Sequence, residues 1–260
     1  EIGFEPVAPH PRRVTLHPDL RIRDTPPVED LVADWLGATA FSMIAIAFTG
    51  SAVNHRAEVK RLITLANENP DAVFSVSVGN EASVEWTDHM VPVENLVEYV
   101  REVKKEIRQP VTFCENYVPW TYKLEPLAEE LDFIAVHTYP AWEYRSIHDA
   151  LEYTKQNYHS VVDHYPGKPV IITEAGWTTA ANGRGIDPHN ASEELQASYY
   201  EQLLEWTTDE KILTFVFEAF DEPWKGSPDP MEPEKHWGLF NVERKPKLVM
   251  RDLYAELVPD

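Results

Sequence analysis

The sequence predicts an α/β protein, a (β/α)8 TIM barrel built as one domain over residues 1–260. Three observations predict it. Strand-like and helix-like segments alternate along the chain, which implies a parallel sheet. Eight strand candidates can be counted, and eight such units close most simply into a barrel; an open doubly wound sheet is the alternative. The length, 260 residues, matches the roughly 250 residues of a typical barrel.

Residues 2–7 and 20–25 are the first two strand candidates. Pro26 and Pro27 open a helix that Gly37 ends. Residues 41–49 form a third strand, and residues 54–68 a helix with Val59, Leu62, Ile63 and Ala66 on one face. The fourth strand is 73–80, followed by a helix near 92–108. Residues 111–114 are the fifth strand, with a helix near 122–130 after it. The sixth is 133–139, followed by a helix from 146 to 164 with Ser146 as N-cap and Asp149 three residues on. Residues 169–174 are the seventh strand; Ser192 then caps a helix presenting Leu195, Tyr199, Leu203 and Trp206. The eighth strand is 213–220, followed by a Pro-rich loop and a last helix near 247–257. Only residues 8–19, Pro-rich and without helical period, join the first two strands. A crossover needs about 10–12 residues including its helix, so the first barrel helix is expected to be reduced or missing.

The hydrophobic fraction, 43%, allows a sizeable core. The net charge of −21 repels polyanions and so argues against a nucleic acid or an anionic membrane as partner. A neutral substrate is compatible with it. The one cysteine, Cys114, excludes an internal disulfide, and its apolar surroundings suit a buried inert thiol. No apolar run reaches membrane-spanning length, so no membrane insertion is expected. The chain begins with Glu1 and carries no visible signal peptide, so an export signal could have been removed. Asn190-Ala191-Ser192 is a formal glycosylation sequon of low specificity.

In a parallel barrel the carboxyl ends of all strands share one rim, where barrels keep their chemistry. That rim would carry Glu81, Glu115, His137, Tyr139, Glu174 and Glu218. Two of these close the segments 74–81 and 169–174, each an apolar run ending in glutamate. Singly, Glu81 and Glu174 could be ordinary strand-end carboxylates in salt bridges or water. As a pair on the fourth and seventh strands they would meet across the barrel. Glycoside hydrolysis needs two carboxyls flanking the bond, and a separation of about 5–5.5 Å means a retaining mechanism. Of eight tryptophans, six (Trp86, Trp120, Trp142, Trp177, Trp224 and Trp237) follow strand ends. Flat aromatic faces at a rim suit sugar rings, although several could simply pack the loops. His137, with His10 or His17, lacks metal-ligand spacing, and a hydrogen-bonded histidine is the favoured reading. No metal and no cofactor is expected, since no phosphate loop or nucleophile elbow is present.

Four segments taken together resemble glycoside hydrolase family 17. They are Val78-Gly79-Asn80-Glu81, Thr173-Glu174-Ala175-Gly176-Trp177, Phe217-Glu218-Ala219-Phe220-Asp221-Glu222-Pro223-Trp224-Lys225 and Glu234-Lys235-His236-Trp237-Gly238-Leu239-Phe240. They occur in the family's order, and the similarity spans about residues 38–250. The third segment is closer to bacterial than to plant members. The resemblance implies a (β/α)8 β-1,3-glucanase or β-1,3-glucanosyltransferase with Glu81 as acid/base and Glu174 as nucleophile. It implies that Asn80 holds the sugar 2-hydroxyl and that Tyr139 contacts the nucleophile or its sugar. Glu222, Lys225 and Glu234 match a charged cluster kept near the nucleophile. Trp120, Trp142, Trp177 and Trp237 are expected to line the sugar groove.

The expected partner is a neutral β-glucan polysaccharide or oligosaccharide, bound by a monomer outside the cell or in the periplasm. Three readings stay open: hydrolysis of β-1,3-glucan through a covalent intermediate, transfer of that intermediate to a sugar acceptor, and a non-catalytic glucan-binding barrel. Intact Glu81 and Glu174 argue against the third.

Overall fold

The computed structural model describes residues 42–46, 48, 52–87 and 89–253. The first two expected strands, the helix from Pro26 and the reduced helix at 8–19 lie outside them. The described strands are β1 (Ser42–Ala45), β2 (Val73–Asn80), β3 (Val111–Asn116), β4 (Ile134–Thr138), β5 (Val170–Ala175) and β6 (Thr214–Val216). They form one sheet in sequential order, every neighbouring pair parallel. Between them run α1 (Ala52–Glu68), α2 (Val93–Glu106), the short α3 (Tyr117–Trp120) and α4 (Glu125–Ala128), α5 (Ile147–His164), α6 (Glu193–Asp209) and finally α7 (Leu248–Leu253). Sequential parallel order with a helix in every crossover is the connectivity of a (β/α) barrel.

The two faces of the strands are buried differently. One packs against the helices, joining Val76, Val78, Ile134, Val136 and Ile172 to Leu62, Leu96, Val100, Val161 and Leu203. On α2 the buried residues Leu96, Val97, Val100 and Val103 recur at three- and four-residue spacing, which makes one helical stripe. Each such side chain contributes about 1.5–3 kcal/mol when fully buried. The other face carries a second cluster drawn from strands and the residues leading into them: Cys114, Phe133, Ala135 and Ile171, with Met43, Leu213 and Phe215 against them. Side chains alternate along a strand, so Phe133 and Ala135 share their face with His137 and Tyr139. The apolar floor thus leads directly up to the polar rim.

Three elements differ from expectation. The helix expected at 122–130 is a single four-residue turn, α4, and a further turn, α3, precedes it. Asn116 caps α3 by accepting from the Val118 amide at 3.0 Å, and Pro126 opens α4. Ser146 precedes α5, but its hydroxyl donates to the Asp149 carboxylate at 2.8 Å and caps no backbone group. Ser192 does cap α6, accepting from Leu195 N at 3.2 Å. The eighth expected strand is short because the chain changes partners. Residues after Val216 bond to the returning segment 237–240: Leu239 N to Glu218 O at 2.9 Å, Phe240 N to Ala219 O at 3.0 Å and Asp221 N to Phe240 O at 2.9 Å. This exchange sets the last two motif segments side by side.

Candidate active site

The carboxyl ends of β2 to β5 converge. Asn80 ends β2 and Glu81 follows it; Glu115 lies in β3, His137 in β4 and Glu174 in β5. Strands β2 and β5 are three places apart in the sheet, which in a flat sheet means about 14 Å. Yet the facing atoms of Glu81, His137 and Glu174 all lie within 4.8 Å of one another. The sheet must curl for this to happen, and the curl brings the two glutamates together at its carboxyl edge.

Local sequence fits each segment to its task. Gly79 has φ +121°, and a Cβ there would stand 2.5 Å from the Phe113 ring. Only glycine suits that turn. Glu81 itself has φ +46°, a left-handed conformation unusual for a side-chain-bearing residue. Its amide bonds to Cys114 O at 2.9 Å, and the chain beyond is tied down by Glu115. That carboxylate is buried and accepts from Ser83 N at 2.9 Å, Ser83 Oγ at 2.7 Å and Asn116 N at 2.7 Å. Burial raises the Glu115 pKa even so. At the other end, Gly176 permits the chain after β5 to pass β6, since a Cβ would lie 2.3 Å from Phe217 O.

His137 is fully buried, with Nδ1 at 3.0 Å from Glu81 Oε1 and 3.5 Å from Glu174 Oε2. Burial works to lower its pKa. The charge of Glu174, the Cys114 thiol and the bond to Glu81 outweigh burial and hold it well above 6.5. Tyr139, two residues on and on the same face, donates its hydroxyl to Glu174 Oε2. Its pKa is driven well up, by burial first and then by the Glu174 charge beside it. The donor atoms of Glu81, His137 and Glu174 are close enough together for a cation, but hydrogen bonds from His137 and Tyr139 already serve them.

The charged cluster expected after the last strand is also present. Lys225 Nζ lies 2.8 Å from Glu218 Oε2 and 2.6 Å from Glu222 Oε2. Burial raises the Glu218 pKa to about 7, more than the lysine lowers it. Glu234, also raised by burial, feels the charges of Lys225, Glu232, Glu81 and Glu174. Lys225 stands 4.5 Å above the Phe217 ring, whose edge meets Tyr139 with centroids 5.7 Å apart. The cluster is therefore joined through one aromatic ring to Tyr139, the hydroxyl donor to Glu174.

Three expected groove aromatics, Trp120, Trp177 and Trp237, are buried core residues. Trp120 is fully buried; its indole donates to Ala135 O at 3.2 Å and its ring meets Phe113 and Tyr165. Trp177 is fully buried, donating to Asn190 O at 2.9 Å beside Tyr199. Both fill space under rim loops, where a large indole buries more apolar area than any other side chain. Trp237 is also buried and stands behind Tyr139, with centroids 5.2 Å apart. Trp142 is half-buried against Trp237, centroids 6.2 Å apart. Trp86 and Trp224, by contrast, are 65% and 72% exposed. Sequence reasoning set His137 and Glu218 on the rim without assigning them to the site. The signals were there: His137 shares strand parity with Tyr139, and Glu218 lies in the motif that carries Lys225.

Comparison with known proteins adds a family. The model of the BtgE/BtgC glycoside hydrolase domain matches residues 27–238. The chain belongs to this family. A glucan 1,3-beta-glucosidase of Arthroderma benhamiae is 25% identical over 214 residues, 75% of this chain and 66% of that one. An endo-laminarinase from Formosa Hel1_33_131 is 28% identical with a TM-score of 0.72, covering 81% of this chain and 65% of that one. A family 17 β-1,3-glucanosyltransferase from Rhizomucor miehei is 27% identical with a TM-score of 0.67, covering 85% and 80%. An active-site mutant of the Rhizomucor miehei enzyme has been solved with laminaritriose. The chain spans a little under two thirds of the Arthroderma and Formosa proteins. The resemblance to glycoside hydrolase family 17 read from the four motifs is thus met.

Proposed function

We propose that this protein is a retaining glycoside hydrolase that cleaves β-1,3-glucan through a covalent glucosyl-enzyme. The observation that carries the reading is the approach of the Glu81 and Glu174 carboxyls to within 4.8 Å. Retaining enzymes hold their two carboxyl groups about 5–5.5 Å apart, whereas inverting ones leave about 6.5–9.5 Å for a water. In the first step a Glu174 oxygen attacks the anomeric carbon. The glycosidic C–O bond breaks, its electron pair stays on the leaving oxygen, and Glu81 supplies the proton. In the second step Glu81 takes a proton from water, whose oxygen attacks the same carbon. The ester bond breaks and Glu174 leaves as a carboxylate. Asn80, adjacent to Glu81, is assigned to the sugar 2-hydroxyl.

Tyr139 supports the nucleophile role of Glu174, since a hydroxyl donor fixes one oxygen and leaves the other to attack. The neutral substrate agrees with the net charge of −21, which would repel an anionic one. The likeness to a laminarinase and to a glucanosyltransferase that binds laminaritriose supports a β-1,3-linked glucan. Transfer is the second reading, favoured by the 80% of the glucanosyltransferase that this chain covers. Incubation with defined β-1,3-gluco-oligosaccharides, with products followed by mass and linkage, tests both. Shorter products alone mean hydrolysis, products longer than the substrate mean transfer, and an unchanged substrate rejects both.

A further inference from the structure

A retaining pair faces a difficulty of its own. Two carboxyls within 4.8 Å repel when both are ionised, and the negative charge must change places during turnover. It rests on Glu174 before attack and on Glu81 once the leaving group has taken its proton. Some donor has to serve both positions. The geometry points to His137: we propose that it is a positioning residue whose single Nδ1–H serves whichever of Glu81 and Glu174 carries the charge. This rests on the two-carboxyl reading of the site given above.

Four facts carry it. The Nδ1 atom lies 3.0 Å from Glu81 and 3.5 Å from Glu174, so a displacement of about half an ångström transfers the bond. The ring is fully buried, so water offers the carboxyls no substitute at that position. Among the described residues Nε2 has no hydrogen-bond partner, which leaves Nδ1 as the nitrogen whose bonding fixes the ring. β4 holds His137 in register opposite Glu174, and its neighbour in β3 is Asn116, so the imidazole is set by the sheet and not by a loop. The groups facing it are Glu81 after β2, Cys114 on β3 and Glu174 on β5, with Tyr139 bonded to Glu174 from the same strand. Lys225 is engaged by Glu218 and Glu222 and does not take this place. Having the donor on a planar ring also matters: it moves sideways between two oxygens without leaving its rotamer.

The test compares His137→Asn with His137→Gln. An asparagine amide reaches about where Nδ1 stands; a glutamine amide reaches toward Nε2 and leaves the Nδ1 position empty. On a β-1,3-gluco-oligosaccharide, H137N is expected to keep kcat/KM within about tenfold, with the wild-type pH profile. H137Q is expected to lose about a hundredfold, mostly in kcat, with the acid limb moved to higher pH, because a carboxylate without its donor keeps its proton longer. A folded H137N as damaged as H137Q, or an H137Q with an unmoved pH profile, overturns the proposal. If H137Q does not fold, H137N decides alone. A second measurement needs no substrate: 15N NMR titration of the His137 ring in wild type, Glu81→Gln and Glu174→Gln. The midpoint is expected to fall by about one pH unit in each variant. Equal midpoints in all three overturn the bridge even if glucan is cleaved; shifted midpoints in a protein inert toward glucan uphold the bridge and reject the proposed function.

Discussion

Two groups of carboxylates share one rim and are held in different ways. At the ends of β2 and β5, Glu81 and Glu174 share one imidazole nitrogen, and Glu174 has a tyrosine hydroxyl besides. After β6, Glu218 and Glu222 are clamped to one ammonium at 2.8 and 2.6 Å. The clamp commits its partners: a doubly paired lysine holds both carboxylates in place beside one positive charge. The shared nitrogen leaves the other pair able to differ in charge and to exchange it. Similar residues on similar strand ends thus divide, according to their donors, into the pair proposed to react and a cluster clamped by Lys225.

Exchanging glutamates tests that division most sharply. Glu174→Gln is expected to lower kcat at least about a thousandfold, as removing a nucleophile does, whereas Glu222→Gln should cost about tenfold. Equal losses in steady-state kinetics would erase the distinction. Tyr139→Phe removes one charge-assisted bond, worth about 1.5–3 kcal/mol. It should lower kcat about 10- to 100-fold with little change in melting temperature. Lys225→Met should do the reverse: it strands two partly buried carboxylates and should destabilise by about 1–3 kcal/mol in denaturant titration.

The cluster also predicts a pH dependence. Burial raises the Glu218 pKa from 4.5 to about 7, so the folded protein binds a proton that the unfolded chain releases earlier. That contribution is complete below pH 4.5 and is lost as pH rises through about 7. Thermal melts at a series of pH values should show wild type losing stability across that window relative to Glu218→Gln; parallel curves would refute the assignment. The smallest effect is expected at the exposed rim. Trp86→Ala should leave the melting temperature within about 1 °C, and any change should fall on KM.

The sequence made the strands legible because they are apolar β-branched runs bounded by proline and glycine, and β2 spans residues 73–80 as expected. The carboxylates at their ends were legible for the same reason: a charged residue terminating a buried strand needs an explanation. The tryptophans were not separable. Trp120 and Trp86 both follow strand ends, but whether an indole faces a groove or fills the space under a loop depends on long-range packing. Trp120 lies against Tyr165, which is distant in sequence. His137 was visible as a rim residue, yet its role depends on the curl that brings β2 toward β5, and local pattern does not encode that. The truncation of the last strand escaped as well, because its partners, residues 237–240, lie across a Pro-rich loop.

Glu81 and Glu174, as a proposed retaining pair, leave a signature in the anomer first released. Time-resolved 1H NMR of the anomeric proton during cleavage of a β-1,3-gluco-oligosaccharide tests the pairing most directly. With retention, the newly formed reducing end is expected to appear first as the β-anomer and only later to mutarotate. First appearance of the α-anomer would mean inversion and would contradict the assignment of Glu174 as the attacking group.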